Sequence, residues 1–299
     1  MEKVSILHLI TAAKNASPFD VNMAFDAGFD KIMSYTNVAL SEVAGLTQDA
    51  IFSRSPSGVK REGVFIGGRD IDLAMQMLNA SKNAMFAPFA CAVFADPSGA
   101  FTTAAAMIAK VEFHLKKQFN EDLAGKTLSV FGALGPVGSC AAIIAALQGA
   151  KIQLVAHRSV ADLEQKAAVW NSQYAIHMQV VSGASDMSKQ EILADSEIVI
   201  CAAAAGVEVI GTALLQNAKH LKVAADVNAV PPLGVQGIGV SDDGVQIANS
   251  QIYGIGALAI GQLKYSTQHG LLKQMLSADK PQVLEFMSAF NLARELLKK

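Results

Sequence analysis

Ser129-Val130-Phe131-Gly132-Ala133-Leu134-Gly135-Pro136-Val137-Gly138 is the stretch on which the reading of the whole chain turns. Hydrophobic residues run into a glycine turn, and a run of small residues follows. Gly132 permits the tight turn, Gly135 lets backbone approach a diphosphate, and Gly138 lets a helix pack on the strand before it. A helix opening at Pro136 and Val137 offers its free N–H groups and the positive end of its dipole to phosphates. The spacing is G-x-x-G-x-x-G, not G-x-G-x-x-G, so the glycines alone are a weak signal. Their context strengthens it: strand Thr127–Phe131 before, helix Pro136–Gln148 after, strand Ile152–Ala156 next. The pattern predicts an α/β protein with a Rossmann-type doubly wound parallel sheet that binds a dinucleotide. The plainer alternative is an ordinary glycine turn in an α/β domain.

The end of the second strand decides which dinucleotide. An NAD site places Asp or Glu there to accept hydrogen bonds from the ribose hydroxyls. This chain has Ala156-His157-Arg158-Ser159 instead, with no acid. Arg158 can pair with a 2′-phosphate and stack on adenine, and Ser159 can add a hydroxyl donor. NADP is the expected cofactor, with NAD a weaker second. His157, in the same loop, counts among the expected cofactor-binding residues by position but is given no part in the chemistry. A solvated Arg158 with no partner is the competing reading.

Outward from this centre, short strand-like runs alternate with helical patterns. Before it stand the runs Val4–Ile10, Lys31–Tyr35, Gly63–Ile66 and Ala90–Phe94. Ser17-Pro18 opens a helix with a cap residue and a proline at the first position. Ile71, Ala74, Met75 and Leu78 form a helical stripe over Asp70–Ala80. A long helix, Phe101 to Phe119, leads into the glycine unit. Later strands are expected at Ile198–Cys201 and Lys222–Ala225, and helices at Gly256–Leu276 and Pro281–Leu297. The expected organisation is a Rossmann domain at 101–264 and a second α/β domain at 1–100, completed by the C-terminal helices of 265–299. Two loops look like walls of a nicotinamide pocket. Asn228 lies in Ala225–Gly234, which follows a strand and carries paired prolines, and Gly256 opens a helix where backbone can approach a flat ring.

Composition narrows the function classes. Of 299 residues, 52% are hydrophobic and 17% charged, ample for a large core. The 24 basic residues against 26 acidic ones leave a net charge of −2, without the basic stripe of a nucleic-acid binder. Cys91, Cys140 and Cys201 stand far apart and form neither a disulfide framework nor a metal clip, so a reducing compartment is expected. The six histidines show no H-x-x-x-H spacing, and no metal is expected. The start lacks a basic n-region and the apolar runs are too short to cross a bilayer. A cytoplasmic protein with no membrane partner is the expectation.

Several segments together resemble the bacterial, NADP-dependent methylene-tetrahydromethanopterin dehydrogenases. They are Ser17–Val38, Asp96–Ala106 (DPSGAFTTAAA), Gly135–Gly138 (GPVG), Ala225–Ile238 (ADVNAVPPLGVQGI) and Gly256–Lys264 (GALAIGQLK). The resemblance covers nearly the whole chain in order, which is more specific than any one motif. It departs at Gly132-Ala133-Leu134-Gly135, where the family shows G-x-G. The resemblance implies a Rossmann domain for NADP and a second α/β domain, with a tetrahydropterin in the cleft between them. It implies oxidation of the methylene bridge to methenyl in the one-carbon metabolism of methylotrophs. It also implies a homo-oligomer, a trimer being one form, and the small-residue helix Phe101–Lys110 is read as surface between subunits.

The chemistry of that reaction suits what the chain carries. Hydride leaves a carbon flanked by two nitrogens whose lone pairs stabilise the cation, so positioning and electrostatics suffice without a general acid or base. Through the resemblance, Asp20 and Lys264 are the candidate catalytic residues, and Asp20, Lys264 and Thr102 the substrate-binding ones. The plainer readings are a helix-start carboxylate for Asp20 and a snorkelling lysine for Lys264. Two functional rivals stand beside the main one: a methylene-tetrahydrofolate dehydrogenase, which acts on the same bridge, and a non-catalytic NADP sensor.

Overall fold

A computed structural model describes residues 4–298. The chain begins with β1 (Ile6–Ile10), α1 (Pro18–Asp26), β2 (Lys31–Tyr35), α2 (Val43–Phe52), α3 (Pro56–Val59), β3 (Glu62–Ile66), α4 (Ile71–Asn83) and β4 (Ala92–Ala95). A long helix, α5 (Ala100–Phe119), comes next. The glycine unit follows as β5 (Thr127–Phe131), α6 (Pro136–Leu147), β6 (Lys151–Ala156), α7 (Val160–Tyr174) and β7 (Met178–Ser182). Then come α8 (Asp186–Asp195), β8 (Ile198–Cys201), α9 (Thr212–Gln216), β9 (Val223–Asp226), β10 (Asp243–Gln246) and β11 (Tyr253–Ile255). The chain closes with α10 (Ala257–Ser277), β12 (Val283–Leu284) and α11 (Phe286–Leu296). Two compact units result. One holds the residues up to Thr102 with Tyr265–Leu292, the other Thr103–Lys264 with the residues from Ala293 on.

The first unit is built on a five-stranded sheet in the order β12-β4-β3-β1-β2, parallel throughout. Every residue of the central β3 is buried, while the edge strand β2 exposes Lys31, Met33 and Ser34. Phe65 and Phe94 meet edge-to-face at 5.3 Å in the core. Gly63 lies so close under α10 that a Cβ there would sit 2.9 Å from Met275 Cε. Helix α1 starts where Ser17-Pro18 predicts, with Ser17 Oγ accepting from the Asp20 N–H at 3.4 Å. Asp70 caps α4 through the N–H groups of Asp72 and Leu73. The buried stripe of α4 runs through Ile71, Ala74, Met77 and Leu78, so Met77 takes the core place expected of Met75. The strand order reverses between β1 and β3, which makes the carboxyl ends of these strands the binding edge.

The expected helix Pro281–Leu297 is shorter. Val283 and Leu284 pair with Val93 and Phe94 as an edge strand. Glu285 then starts the helix by accepting from the N–H groups of Met287 at 3.0 Å and Ser288 at 3.3 Å. The segment Phe101–Lys110 is also corrected. All of it but Thr103 is buried within its own chain, so it offers no surface to another subunit.

The second unit has a seven-stranded sheet, β10-β11-β9-β8-β5-β6-β7, parallel except for the antiparallel β10. The chain winds from β5 to β6 and β7 on one side, then returns to β8 and β9 on the other. A parallel sheet covered on both faces needs strands apolar throughout, and β8 (IVIC) is buried at all its positions. The antiparallel edge is tied to α5: Lys110 Nζ donates to Asp243 Oδ2 at 2.7 Å and His114 Nε2 to Oδ1 at 2.8 Å. Lys110 and His114 are buried, and His114 Nδ1 has no hydrogen-bond partner among the described residues. Burial holds the His114 imidazole below its ordinary pKa, against the pull of Asp243.

A histidine kept neutral in the fold but protonated in the unfolded chain subtracts stability as the pH falls below about 6.5. The melting temperature is therefore expected to drop between pH 7 and 5, and to drop less in His114→Phe, where the titrating ring is gone. Equal slopes in thermal melts of the two proteins refute this role.

Candidate active site

The second unit turns at Gly132, between the carboxyl ends of β5 and β8, where the direction of winding reverses. Gly132 has φ +82°, and a Cβ there would lie 2.3 Å from the Ala202 carbonyl oxygen at the end of β8. Gly138 is equally constrained, since its Cβ would lie 2.4 Å from the Gly132 carbonyl oxygen. Gly135 donates its N–H to Gly132 O at 3.0 Å and caps α6 without a side chain. The bond from Ser139 N to Gly135 O opens the helix, which leaves the N–H groups of Val137 and Gly138 ahead of it, and Pro136 has none. These glycines form a cradle that side chains would fill, and its donors suit a diphosphate.

Strand β6 lies beside β5, with Val155 opposite Phe131, so its end borders the cradle. His157 and Arg158 are exposed there. Ser159 caps α7, its Oγ accepting from the Asp162 N–H at 3.2 Å, which leaves its hydroxyl hydrogen for another acceptor. An exposed guanidinium beside the cradle fits a 2′-phosphate.

The loop after β9 is organised by a residue that the motif reading passed over. Asp226, 1% exposed, accepts from Asn228 N at 2.9 Å and Val235 N at 3.0 Å. Its burial pushes the carboxyl up, opposed by these backbone donors, by Gly234 N and by the Cys201 thiol. A buried acid next to a proline loop was the available signal. Asn228 is engaged within this loop and with the one after β8: Oδ1 accepts from Val230 N and from Gly206 N, and Nδ2 donates to Pro232 O. One amide hydrogen beyond these bonds is what Asn228 can offer a ligand. Gly256 is required by packing, since a Cβ would lie 2.1 Å from Gly239 O. Leu134, Val207, Val230 and Leu258 are each about half exposed, and each stands just past the carboxyl end of β5, β8, β9 or β11. They give this edge the apolar surface that a flat ring requires.

In the first unit, the corresponding edge carries Asp20 and Thr102. Asp20 follows β1, is 4% exposed, and its Oδ1 accepts from Gln268 Nε2 at 3.0 Å. Thr102 is buried and committed to Asp96: its N–H and Oγ1 bond the two carboxylate oxygens at 3.1 and 2.7 Å. Its hydroxyl hydrogen is engaged and the residue has no exposed surface, so what it does at this edge is hold Asp96. Ser98, exposed beside it, holds φ +53° and donates from Oγ to Gly68 O at 2.7 Å. The left-handed turn at Ser98 places its hydroxyl on Gly68 and so ties the loop after β4 to the loop after β3 at this edge, which the motif DPSG did not reveal. Lys264 is half-buried on α10, in the second unit. Gln268, one helical turn further on, was passed over because its partner lies far away in sequence. Burial pushes the Cys91 and Cys201 thiols up to about 12, so neither is a nucleophile at neutral pH.

Residues 18–98 match the family described as methylene-tetrahydromethanopterin dehydrogenase, N-terminal. The chain is 44% identical over 292 residues to the NAD(P)-dependent methylenetetrahydromethanopterin dehydrogenase of Methylorubrum extorquens, covering 98% of both proteins. It is 30% identical over 280 residues to the Bifunctional protein MdtA of the same organism, covering 94% of both. Shikimate 5-dehydrogenase from Listeria monocytogenes, solved with shikimate and NAD, shares the fold with a TM-score of 0.56 at 17% identity, over 98% of this chain and 96% of that one. By its likeness to the first of these relatives along nearly its full length, this chain belongs to the methylenetetrahydromethanopterin dehydrogenase family.

Proposed function

We propose that this protein is an NADP-dependent methylene-tetrahydromethanopterin dehydrogenase that removes a hydride from the methylene bridge to leave the methenyl product. The observation that carries the proposal is the 44% identity to the Methylorubrum enzyme across 98% of both chains. The second unit, 103–264, takes the dinucleotide, and the first, with Asp20, takes the pterin. When bound, the dinucleotide supplies a hydride acceptor at its nicotinamide ring. The Gly132–Gly138 cradle holds the diphosphate, Arg158 and Ser159 select the 2′-phosphate, and the apolar edge at Val230 and Leu258 excludes water from the ring. NAD, lacking the 2′-phosphate, binds more weakly at the same place. The enzyme works as a homo-oligomer in the cytoplasm, in line with its buried free cysteines, which suit a reducing compartment.

The residues on the pterin side have only charge to manage. Loss of hydride leaves the substrate one unit more positive, so the Asp20 carboxylate attracts the transition state more strongly than the ground state. A cationic Lys264 close to the same carbon would oppose the reaction, by roughly several kcal/mol at low effective dielectric. Its ammonium is therefore assigned to the pterin carbonyl, away from the reacting carbon, where it contributes equally to ground and transition states.

Oxidation of methylene-tetrahydromethanopterin with NADP, followed at the reduced-nicotinamide absorbance band, is the primary test. Turnover with methylene-tetrahydrofolate alone would overturn the substrate. Arg158→Ala is expected to weaken NADP by about 1.5–3 kcal/mol while leaving NAD nearly unchanged. Equal loss for both cofactors removes Arg158 from the 2′-phosphate. With Asp20→Asn the defect is expected mainly in kcat, and with Lys264→Ala mainly in the KM for the pterin. The reverse pattern would invert the two assignments.

A further inference from the structure

Asp20 is the third residue of α1, the position from which an acid at a helix start ordinarily serves the N-terminus through exposed backbone. Here the carboxylate is turned inward instead. Asp20 is 4% exposed, and its Oδ1 takes a hydrogen bond at 3.0 Å from the amide of Gln268, a residue with no exposed surface. Burying a long amide beside a buried carboxylate forfeits the hydration of both groups. The bond recovers part of that loss and at the same time holds Oδ1 in one place. The two residues are 248 apart in sequence, so the bond is made by the fold and not by local propensity. Gln268 also stands one helical turn after Lys264 on α10, at the (i, i+4) spacing that puts two side chains on the same face of a helix.

We propose that Gln268 is the positioning residue for Asp20: its Nε2–H holds the carboxylate in the orientation in which it stabilises the charge left by the departing hydride. This inference rests on the proposed role of Asp20. Without this donor Oδ1 is no longer held at the point the fold sets for it, and the carboxylate spends less time in the productive orientation, so the loss would fall on kcat and not on pterin affinity.

The test is a double-mutant cycle in the full-length enzyme with methylene-tetrahydromethanopterin and NADP. Gln268→Met keeps the length of the side chain and removes the donor. It is expected to lower kcat by about ten- to a hundredfold, the range for a lost bond to a charged group, with the pterin KM within about twofold. In the Asp20→Asn background the same change is expected to lower kcat by less than about twofold, because the negative charge that the bond positions is already gone. Thermal melting of each variant separates loss of fold from loss of function. Should Gln268→Met not fold, Gln268→Leu removes the donor with a smaller side chain, and the same non-additivity is expected. If Asp20→Asn lowers kcat but the two substitutions multiply, Gln268 is structural and the assignment of Asp20 stands. If Asp20→Asn leaves kcat unchanged, the role of Asp20 itself falls, and that of Gln268 with it.

Discussion

No side chain fits where the chain leaves β5. The Gly132 α-carbon passes the end of β8 so closely that a methyl group would sit 2.3 Å from the Ala202 carbonyl oxygen, and Gly138 is pressed against Gly132 in turn. This mutual exclusion of side chains brings the start of α6 down onto the sheet and sets its N–H groups at the point where the winding reverses. The positions of β6, of the loop after β9 and of the start of α10 are all referred to that edge. A Cβ at either glycine would lift the helix off the strand and with it the free N–H groups at its start.

Around this constraint, buried carboxylates do the organising. Asp226 gathers the N–H groups of its own loop, Asp96 ties the start of α5 through Thr102, and Asp20 is held by Gln268. Each stands at the carboxyl edge of a parallel sheet, and each is nearly or wholly removed from solvent. An acid so placed keeps its charge only if the fold supplies donors, which makes the loops around it specific in shape. The same principle explains why Asn228, which the motif pointed to as a ligand for the cofactor, is mostly a strut: two of its side-chain hydrogen bonds close on its own loop and a third ties that loop to Gly206 in the loop after β8.

The legible parts of the chain were the local ones. The glycine turn, the cap at Ser17-Pro18 and the strands flanking Phe131 depend on neighbours within a few residues, and pattern alone reveals them. The hidden parts depend on distant partners. Val283 and Leu284 form a strand only because β4 presents an open edge, and nothing in a two-residue run announces it. Met77 and Met75 are equivalent by composition, and only the packing of α4 chooses between them. Glutamine on a helix reads as solvated surface, so Gln268 had no signal until Asp20 was seen to face it. The small residues of Phe101–Lys110 were visible as a packing face, but a sequence does not say whether such a face closes on its own chain or on another.

The loop at the end of β6 divides cleanly into parts that can change and a part that cannot. His157 and Arg158 are solvent-exposed and carry none of the core, whereas Ser159 holds α7 by its cap. Exposed substitutions of this kind alter folding free energy by less than about half a kcal/mol, while losing the cap costs about 1 kcal/mol. On the proposed reading, the charge that would tell two nearly identical cofactors apart sits on Arg158, a side chain that the architecture does not need. Such a trait can drift, or be bred in the opposite direction, without any ancestor or intermediate passing through an unstable protein.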